Sequence, residues 1–223
     1  MASTFINNKR WGSVYIKGNR VTSVYKNGVR FFQRPMQSVT LTNMLTNGSF
    51  ETDTTGWAGS GTMTRLAIPT PGHGEFGSWC GQDAQTVNGA HYLQRSAALA
   101  GFVSGHQYYI RSMVRYSTSG YGNIVQYYNA ATALANGVAA FTMSAVNTWY
   151  LYDCVWTAPN SNSLQLRFNF SNGNGNQART AQVDNVMIID LTAAFGAGHE
   201  PATVTMAAVL PDGYFDGTKA VEV

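Results

Sequence analysis

Residues 43 to 57 read NMLTNGSFETDTTGW, and the interpretation of the rest of the chain starts from this stretch. Asn47 opens an Asn-Gly dipeptide, which tolerates a positive φ. Phe50 can face a core while Glu51 points elsewhere, because successive side chains of a strand alternate between its two faces. With Trp57 as an aromatic anchor at its end, the stretch predicts the first strand of a sandwich.

A second acidic residue, Asp184, lies near the other end of the chain in the apolar run AQVDNVMIID. If that run pairs beside the first strand, the carboxylates of Glu51 and Asp184 come together. Carboxylates and free backbone carbonyls are the hard oxygen ligands that calcium prefers. The spacing is equally compatible with a solvated Glu51, an Asp184 at a sheet edge and no ion.

Three motifs occur in a fixed order: NGSFE, a Gly-Trp a few residues later, and VDNVMI. Together they resemble carbohydrate-binding modules of families four and twenty-two, over roughly residues 43 to 190. These families have a calcium-containing jelly roll. The resemblance implies a structural calcium ion held by Glu51, the carbonyl of Ser49 and Asp184.

The composition favours an all-β protein of ordinary domain size. Charged residues make up only 11% of the 223 residues, whereas Gly (23), Tyr (12) and Phe (11) are frequent. Short apolar runs separated by Gly, Pro and Asn predict a jelly-roll β-sandwich over residues 40–191. The predicted strands are 42–51, 62–68, 77–83, 91–98, 107–117, 122–130, 137–144, 149–157, 163–171 and 181–190.

Residues 1–36 differ in charge from the rest of the chain. They contain seven basic residues and no acidic one, whereas the remaining 187 residues contain seven basic and eleven acidic ones. Alternating runs around Gly18-Asn19 and Asn27-Gly28 predict a small β-meander. Such a segment is typical of an attachment module. An acidic protein surface, nucleic acid and a merely solvated hairpin remain open, with nucleic acid the less expected partner.

Residues 192–223 are predicted to form a short C-terminal arm. Thr192 can cap a first turn, and Pro201 suits the start of a short helix. The segment DLTAAFGAGHEP at 190–201 resembles one that recurs in tail and baseplate proteins of phages infecting Gram-positive bacteria. The resemblance implies a phage particle as the location and an arm that folds back over the sheet.

Strand alternation selects a candidate ligand-binding surface. Jelly-roll connectivity predicts that strands 107–117, 122–130 and 163–171 share one sheet with 77–83. Their outward positions combine aromatic rings with planar polar groups, which suits sugars. A plain solvated β surface is the alternative interpretation. Trp79 fits either the core or the cleft. The candidate ligand-binding residues are Tyr109, Arg111, Gln126, Tyr128, Arg167, Asn169 and Trp79.

Catalytic patterns are weak in this sequence. The four histidines show no metal-ligand spacing, and no serine lies in a nucleophile elbow. Glu75 and Asp83 flank one strand and could form a glycosidase pair, but their glycine-rich surroundings favour turns. Cys80 and Cys154 are expected to be buried thiols or a single bridge. We therefore expect a protein that is not an enzyme.

The leading hypothesis is a non-catalytic virion structural protein of a phage tail or baseplate. It would bind host surface polysaccharide through the sandwich and other phage structural proteins through residues 1–36, as a homo-oligomer. A purely structural capsid or tail decoration protein without sugar binding is the alternative. An accessory module of a secreted enzyme is disfavoured, because no export signal is expected at Met1. No stretch is long enough to cross a bilayer.

Overall fold

The structure is a computed structural model of the chain. It describes residues 14–16, 19–21, 23–26, 29–33, 38–70, 72–85, 91–117, 125–129, 132–133, 145–160, 165–170 and 179–222. The chain divides into two compact units, Met1–Ser38 with Glu222–Val223, and Val39–Val221.

The N-terminal unit contains two antiparallel hairpins. One closes with Ile16 opposite Asn19, and the other closes with Lys26 opposite Val29. Hairpins occur where the sequence predicts turns, but they form two separate two-stranded sheets instead of one meander. Their strands are β1 (Val14–Ile16), β2 (Asn19–Val21), β3 (Ser23–Lys26) and β4 (Val29–Gln33).

The larger unit is built on two five-stranded antiparallel sheets. The strands are β5 (Ser38–Thr42), β6 (Trp57–Gly59), β7 (Thr62–Ala67), β8 (Trp79–Gln85), β9 (His91–Arg95), β10 (Gln107–Tyr116), β11 (Val125–Asn129), β12 (Thr132–Ala133), β13 (Tyr150–Thr157), β14 (Gln165–Phe170), β15 (Arg179–Asp190) and β16 (Thr218–Glu222). Sheet one has the order β13-β10-β15-β8-β7, and sheet two has the order β12-β11-β14-β9-β6. Strand β5 pairs with β16. The predicted all-β jelly-roll sandwich is confirmed; the strand predicted at 137–144 lies outside the described residues.

The hydrophobic core lies between the two sheets. Ile110 and Val114 of β10 reach it from sheet one, and Leu93, Leu166 and Phe168 reach it from sheet two. All five side chains are fully buried. Because apolar residues alternate with polar ones along these strands, one face of each sheet enters the core and the other faces outward. The inward positions predicted for β10 and β14 are confirmed.

Residues 43–56 do not form the predicted first strand. They form an irregular loop between β5 and β6, joined to β15 by an isolated bridge between Asn43 and Ile189. Asn47 and Phe50 both have positive φ angles, 55° and 56°, which a regular strand cannot accommodate. A regular strand therefore cannot run through Asn47 and Phe50, and β5 already ends at Thr42.

The C-terminal segment contains two short helices, α1 (Leu191–Phe195) and α2 (Thr203–Val209). Asp190 caps α1, because its carboxylate accepts a hydrogen bond from the Ala193 amide at 2.8 Å. The predicted cap, Thr192, instead accepts from the Gln107 amide at 2.9 Å. Of the helices that the structure describes, neither has the length or apolar character to cross a membrane.

The segment after α2 covers part of the outer face of sheet one. Arg111 of β10 donates a hydrogen bond to the carbonyl of Gly213 at 2.7 Å. Tyr214 and Phe215 are buried there, although they do not belong to the main core. The outward side of sheet one is therefore closed in this region by the chain itself.

Candidate functional site

The predicted binding residues do not share one sheet. Strand β10, which carries Tyr109 and Arg111, belongs to sheet one, whereas β11 and β14 belong to sheet two. The prediction of a common face is therefore wrong. Its residues are divided between the opposite outer sides of the sandwich, because β10 pairs with β13 and β15 instead of with β11.

Tyr109 and Arg111 point away from the core, as alternation predicts, but they are only 1% and 4% exposed. The Tyr109 hydroxyl donates to Asp153 Oδ2 at 2.9 Å. Arg111 forms a salt bridge with Glu75 in addition to its bond with Gly213. These contacts give both side chains a role inside the protein.

The outer face of sheet two carries an ordered group of half-buried polar side chains. The guanidinium carbon of Arg167 lies 3.8 Å from the centroid of the Tyr92 ring, which places a planar cation over an aromatic face. Arg167 Nε donates to Gln94 Oε1 at 2.6 Å. Tyr92 and Gln94 alternate along HYLQR with His91 and Leu93, which face inward.

Strand register adds the remaining predicted positions of sheet two to this face. Gln126 is the partner of Arg167 across β11 and β14, and Asn169 is the partner of Tyr92 across β14 and β9. Tyr128 lies two residues beyond Gln126 on β11. Together with Tyr92, Gln94 and Arg167, these positions make up what we call the sheet-two face.

Sequence reasoning missed Tyr92 and Gln94, although a signal was available. The run HYLQR has the same alternation as the strands from which the candidate residues were chosen. This run forms β9, which pairs with β14 and not with β10. It therefore belongs to the same sheet as Arg167 and to the candidate site. Alternation alone carries no information about that pairing.

Trp79 lies at the start of β8 in sheet one and is half-buried. The guanidinium carbon of Arg65 lies 3.9 Å from the centroid of its ring, and the Trp79 amide donates to Glu51 at 2.9 Å. One face of the indole is therefore covered by Arg65. Trp79 belongs to a different sheet from the sheet-two face, so it cannot extend that surface.

Asp184, predicted to bind calcium, is fully buried. Its Oδ1 accepts from the Asn185 amide at 2.7 Å, and its Oδ2 lies 2.8 Å from His73 Nε2. His73 Nδ1 accepts from the Glu75 amide at 3.3 Å, so Nε2 carries the hydrogen and donates to Asp184. Burial raises the pKa of Asp184 to about 7, and the hydrogen bond with His73 opposes that rise.

Glu51, another predicted calcium ligand, also has protein partners, as does the hydroxyl of Ser49, whose carbonyl is the third predicted ligand. Glu51 Oε1 accepts from the amides of Ser78 and Trp79 at 2.8 and 2.9 Å. The Ser49 hydroxyl donates to Asp216 Oδ2 at 3.4 Å. The negative charge of Glu51 also contributes to the raised pKa of Asp184, less than burial does.

As arranged here, these residues do not fit a calcium ion. Calcium takes six to eight oxygen ligands. Both oxygens of Asp184 already accept hydrogen bonds, one of them from an imidazole nitrogen. Within the described ranges, no three His, Cys, Asp or Glu side chains form a group that could hold a metal ion. The predicted calcium site is untested, and we expect an ion to bind Asp184 where His73 is removed.

We expect this exchange to appear in thermal melting. Calcium and EDTA should leave the melting temperature of the wild-type chain unchanged, because His73 already satisfies Asp184. His73→Ala should melt lower, since it leaves a buried carboxylate without its partner. Added calcium should restore part of that loss, and the double variant with Glu51→Gln should not recover. A wild-type melting temperature that falls in EDTA would contradict the exchange.

Glu75 and Asp83, the possible glycosidase pair, have separate structural partners. Glu75 pairs with Arg111 on the outer side of sheet one. Asp83 is fully buried, and its carboxylate accepts from the Gly61 amide at 3.0 Å. The two carboxylates therefore do not flank a common open cleft, which a glycosidase pair requires.

The two cysteines are both free. Burial raises the pKa of the Cys80 and Cys154 thiols to about 12. Both thiols are therefore protonated at neutral pH, which makes them poor nucleophiles.

No protein-family model matches the chain, and no curated protein matches it in sequence. Solved structures with a similar fold include the enzymatically active domain of tailspike protein 4 from bacteriophage CBA120, with 17% identity and a TM-score of 0.45. The match covers 66% of this chain but only 21% of the tailspike chain.

Two carbohydrate-binding modules are also similar in fold. A family 16 module has 13% identity and a TM-score of 0.46 over 66% of this chain and 100% of its own. The C-terminal family 22 module of Clostridium thermocellum Xyn10B has 15% identity and a TM-score of 0.41 over 70% of this chain and 98% of its own.

Proposed function

We propose that this chain is a non-catalytic virion protein whose sandwich binds a polysaccharide of the host cell surface through the sheet-two face. The observation that carries the proposal is the ordered group of Tyr92, Gln94 and Arg167. These side chains are half-buried, whereas Tyr109 and Arg111 on the opposite side of the sandwich are covered.

The chemistry of the sheet-two face suits a sugar chain. Planar amide and guanidinium groups can hydrogen-bond neighbouring hydroxyls in pairs, and tyrosine offers apolar surface to C–H groups. The contact between Arg167 and Gln94 fixes both side chains before a ligand arrives. Such preorganisation lowers the entropy that binding must overcome.

The location in a phage particle rests on the segment DLTAAFGAGHEP and its resemblance to tail and baseplate proteins. Within this proposal, the basic hairpins of residues 1–36 attach the chain to other structural proteins of the particle. Several copies on one particle would raise the avidity of a weak single site. The homo-oligomer remains a prediction.

A purely structural decoration protein is the alternative from another functional class. It would use the same sandwich as a rigid body without affinity for sugars. Burial of Tyr109 and Arg111 favours this alternative for sheet one, since that side is already covered by the C-terminal segment. The sheet-two face is where the two functions can be distinguished.

The test is polysaccharide binding by the full-length chain, measured by glycan array and then by calorimetry. We expect Gln94→Ala and Tyr128→Ala each to weaken binding about tenfold, the loss of one well-placed contact. The control is Phe76→Ala, which removes an exposed aromatic ring elsewhere in the chain (47% exposed). Melting temperatures should stay unchanged in all three variants.

If neither Gln94→Ala nor Tyr128→Ala weakens polysaccharide binding, the sheet-two face is not the binding site. If the wild-type chain binds no polysaccharide, the structural alternative stands.

A further inference from the structure

We propose that the polysaccharide bound by the sheet-two face is anionic, and that Arg167 determines this specificity by pairing with its negatively charged groups. This inference rests on the proposed function and specifies its ligand. Its starting observation is the position of the Arg167 guanidinium, 3.8 Å from the centroid of the Tyr92 ring.

The stack between Arg167 and Tyr92 changes what a ligand meets first. An uncovered tyrosine ring would present an apolar plane, suited to the C–H face of a neutral sugar. Here the guanidinium lies over that plane, so a ligand approaching the covered face meets a cation. Binding a neutral sugar on that face would require Arg167 to leave both Tyr92 and its 2.6 Å bond with Gln94.

The charge of sheet two points in the same direction. Its five strands contain two arginines, Arg95 and Arg167, and neither Asp nor Glu. Arg95 is the partner of the inward-facing Trp57 and donates to the Thr46 carbonyl at 3.2 Å, at the end of its strand. Arg167 is therefore the charged member of the sheet-two face.

This positive face belongs to an otherwise acidic part of the chain. Residues 37–223 contain seven basic and eleven acidic residues. The strands of sheet one contain four acids, Asp83, Asp153, Asp184 and Asp190, and four arginines, Arg65, Arg111, Arg115 and Arg179, so they have no net charge, whereas those of sheet two have two arginines and no acid. The two sheets thus differ in charge, and electrostatic attraction would guide an anionic polymer towards sheet two.

The anionic group is either a carboxylate, as in a uronic acid, or a phosphate, as in a phosphodiester-linked glycan. Both present oxygens in the arrangement that a guanidinium binds with two parallel hydrogen bonds. Lysine cannot reproduce this fork or the planar stack on tyrosine. The recognition chemistry is the same for both sources, and the polymers used in the experiment separate them.

The experiment uses the full-length chain and three polymers of known charge. Polygalacturonate carries carboxylates, poly(glycerol phosphate) carries phosphates, and xylan is the neutral comparison. We expect binding to at least one anionic polymer that weakens at high salt, and weaker binding to xylan. Arg167→Gln should reduce anionic binding about tenfold or more, and Arg167→Lys should fall between that variant and the wild type.

Two controls separate specific binding from overall charge and from misfolding. Lys219→Gln removes one positive charge outside sheet two and should bind as the wild type does. Thermal melting shows whether Arg167→Gln is folded; if it is not, Arg167→Lys provides the comparison. If both Arg167→Gln and Arg167→Lys bind the anionic polymers as the wild type does, the inference is overturned.

The failure of this inference can be told from the failure of the proposed function. Binding to xylan or another neutral glycan, in preference to both anionic polymers, overturns the anionic specificity and leaves carbohydrate binding intact. A folded wild-type chain that binds neither charged nor neutral glycans overturns both.

Discussion

Phe50→Ala is expected to lower the free energy of unfolding by about 3–5 kcal/mol, the usual cost of removing a buried aromatic ring. Phe50 is fully buried, and its ring centroid lies 5.0 Å from that of Trp57. Its φ of 56° is rare for a bulky residue and is held in place by the surroundings. One of the contacts that hold this backbone conformation is a hydrogen bond from Arg65 Nε to the Phe50 carbonyl, at 2.7 Å.

The facing residue, Gly81 of β8, allows a direct check on this packing. A Cβ at Gly81 would overlap the Phe50 ring, so we expect Gly81→Ala alone to cost about 1–3 kcal/mol by overpacking. In the Phe50→Ala background the same change should cost far less, because the overlapping ring is gone. Urea denaturation of both single variants and the double variant measures the coupling. If the stability losses of the two single variants add up to the loss of the double variant, Phe50 and Gly81 do not contact each other.

Much of the fold follows from local alternation of side chains. The runs QYYIRSMVRY and QLRFNF place their apolar residues on one side, and Ile110, Val114, Leu166 and Phe168 are indeed buried in the core. This information lies within each strand. The inward face of a strand can therefore be predicted without knowing its neighbours.

The membership of strands in the two sheets could not be predicted in this way. Strand β10 lies between β13 and β15, which begin 34 and 63 residues after Tyr116, the last residue of β10. Such pairings depend on packing between distant segments, and alternation is the same whichever neighbour is chosen. Tyr109, Arg111 and Arg167 do face outward, but the candidate surface is wrong in combining two sheets.

The alternation of side chains along a strand also does not predict whether an outward position is accessible to solvent. Arg111 faces outward but is covered, because its guanidinium binds the Gly213 carbonyl of the C-terminal segment. An arm folding back over the sheet was expected, yet the sequence does not say which face it covers. The prediction for Arg167, on the side of sheet two, is unaffected by that arm.

A buried polar contact between the sheets was missed for a related reason. Asp83 of β8 occupies an inward position opposite Gly59 of β6, where an added Cβ would overlap the Asp83 carboxylate. The sequence pattern places Asp83 only in a possible catalytic pair with Glu75. Its actual role depends on a glycine in the other sheet, which no pattern around Asp83 reveals.

We expect Asp83→Ala to lower the free energy of unfolding by about 3–5 kcal/mol, comparable to breaking a buried charged contact. The Asp83 carboxylate is fully buried and accepts from the Gly61 amide at 3.0 Å and the Ser60 hydroxyl at 3.2 Å. His91 Nε2 of sheet two lies 2.9 Å away, although without the alignment of a hydrogen bond. Alanine would leave these donors unsatisfied between the sheets.

Two further variants show which part of this contact stabilises the fold. Asp83→Asn keeps an oxygen that can accept from the Gly61 amide but removes the charge, so it should lose less stability than Asp83→Ala. Asp212→Ala is the control, because that carboxylate is 74% exposed in its pair with Lys219 and should change stability by less than about 0.5 kcal/mol. Equal losses for Asp83→Asn and Asp83→Ala would assign the effect to the charge facing His91. If Asp83→Ala unfolds at the same urea concentration as the Asp212→Ala control, the stability of the sandwich does not depend on this contact.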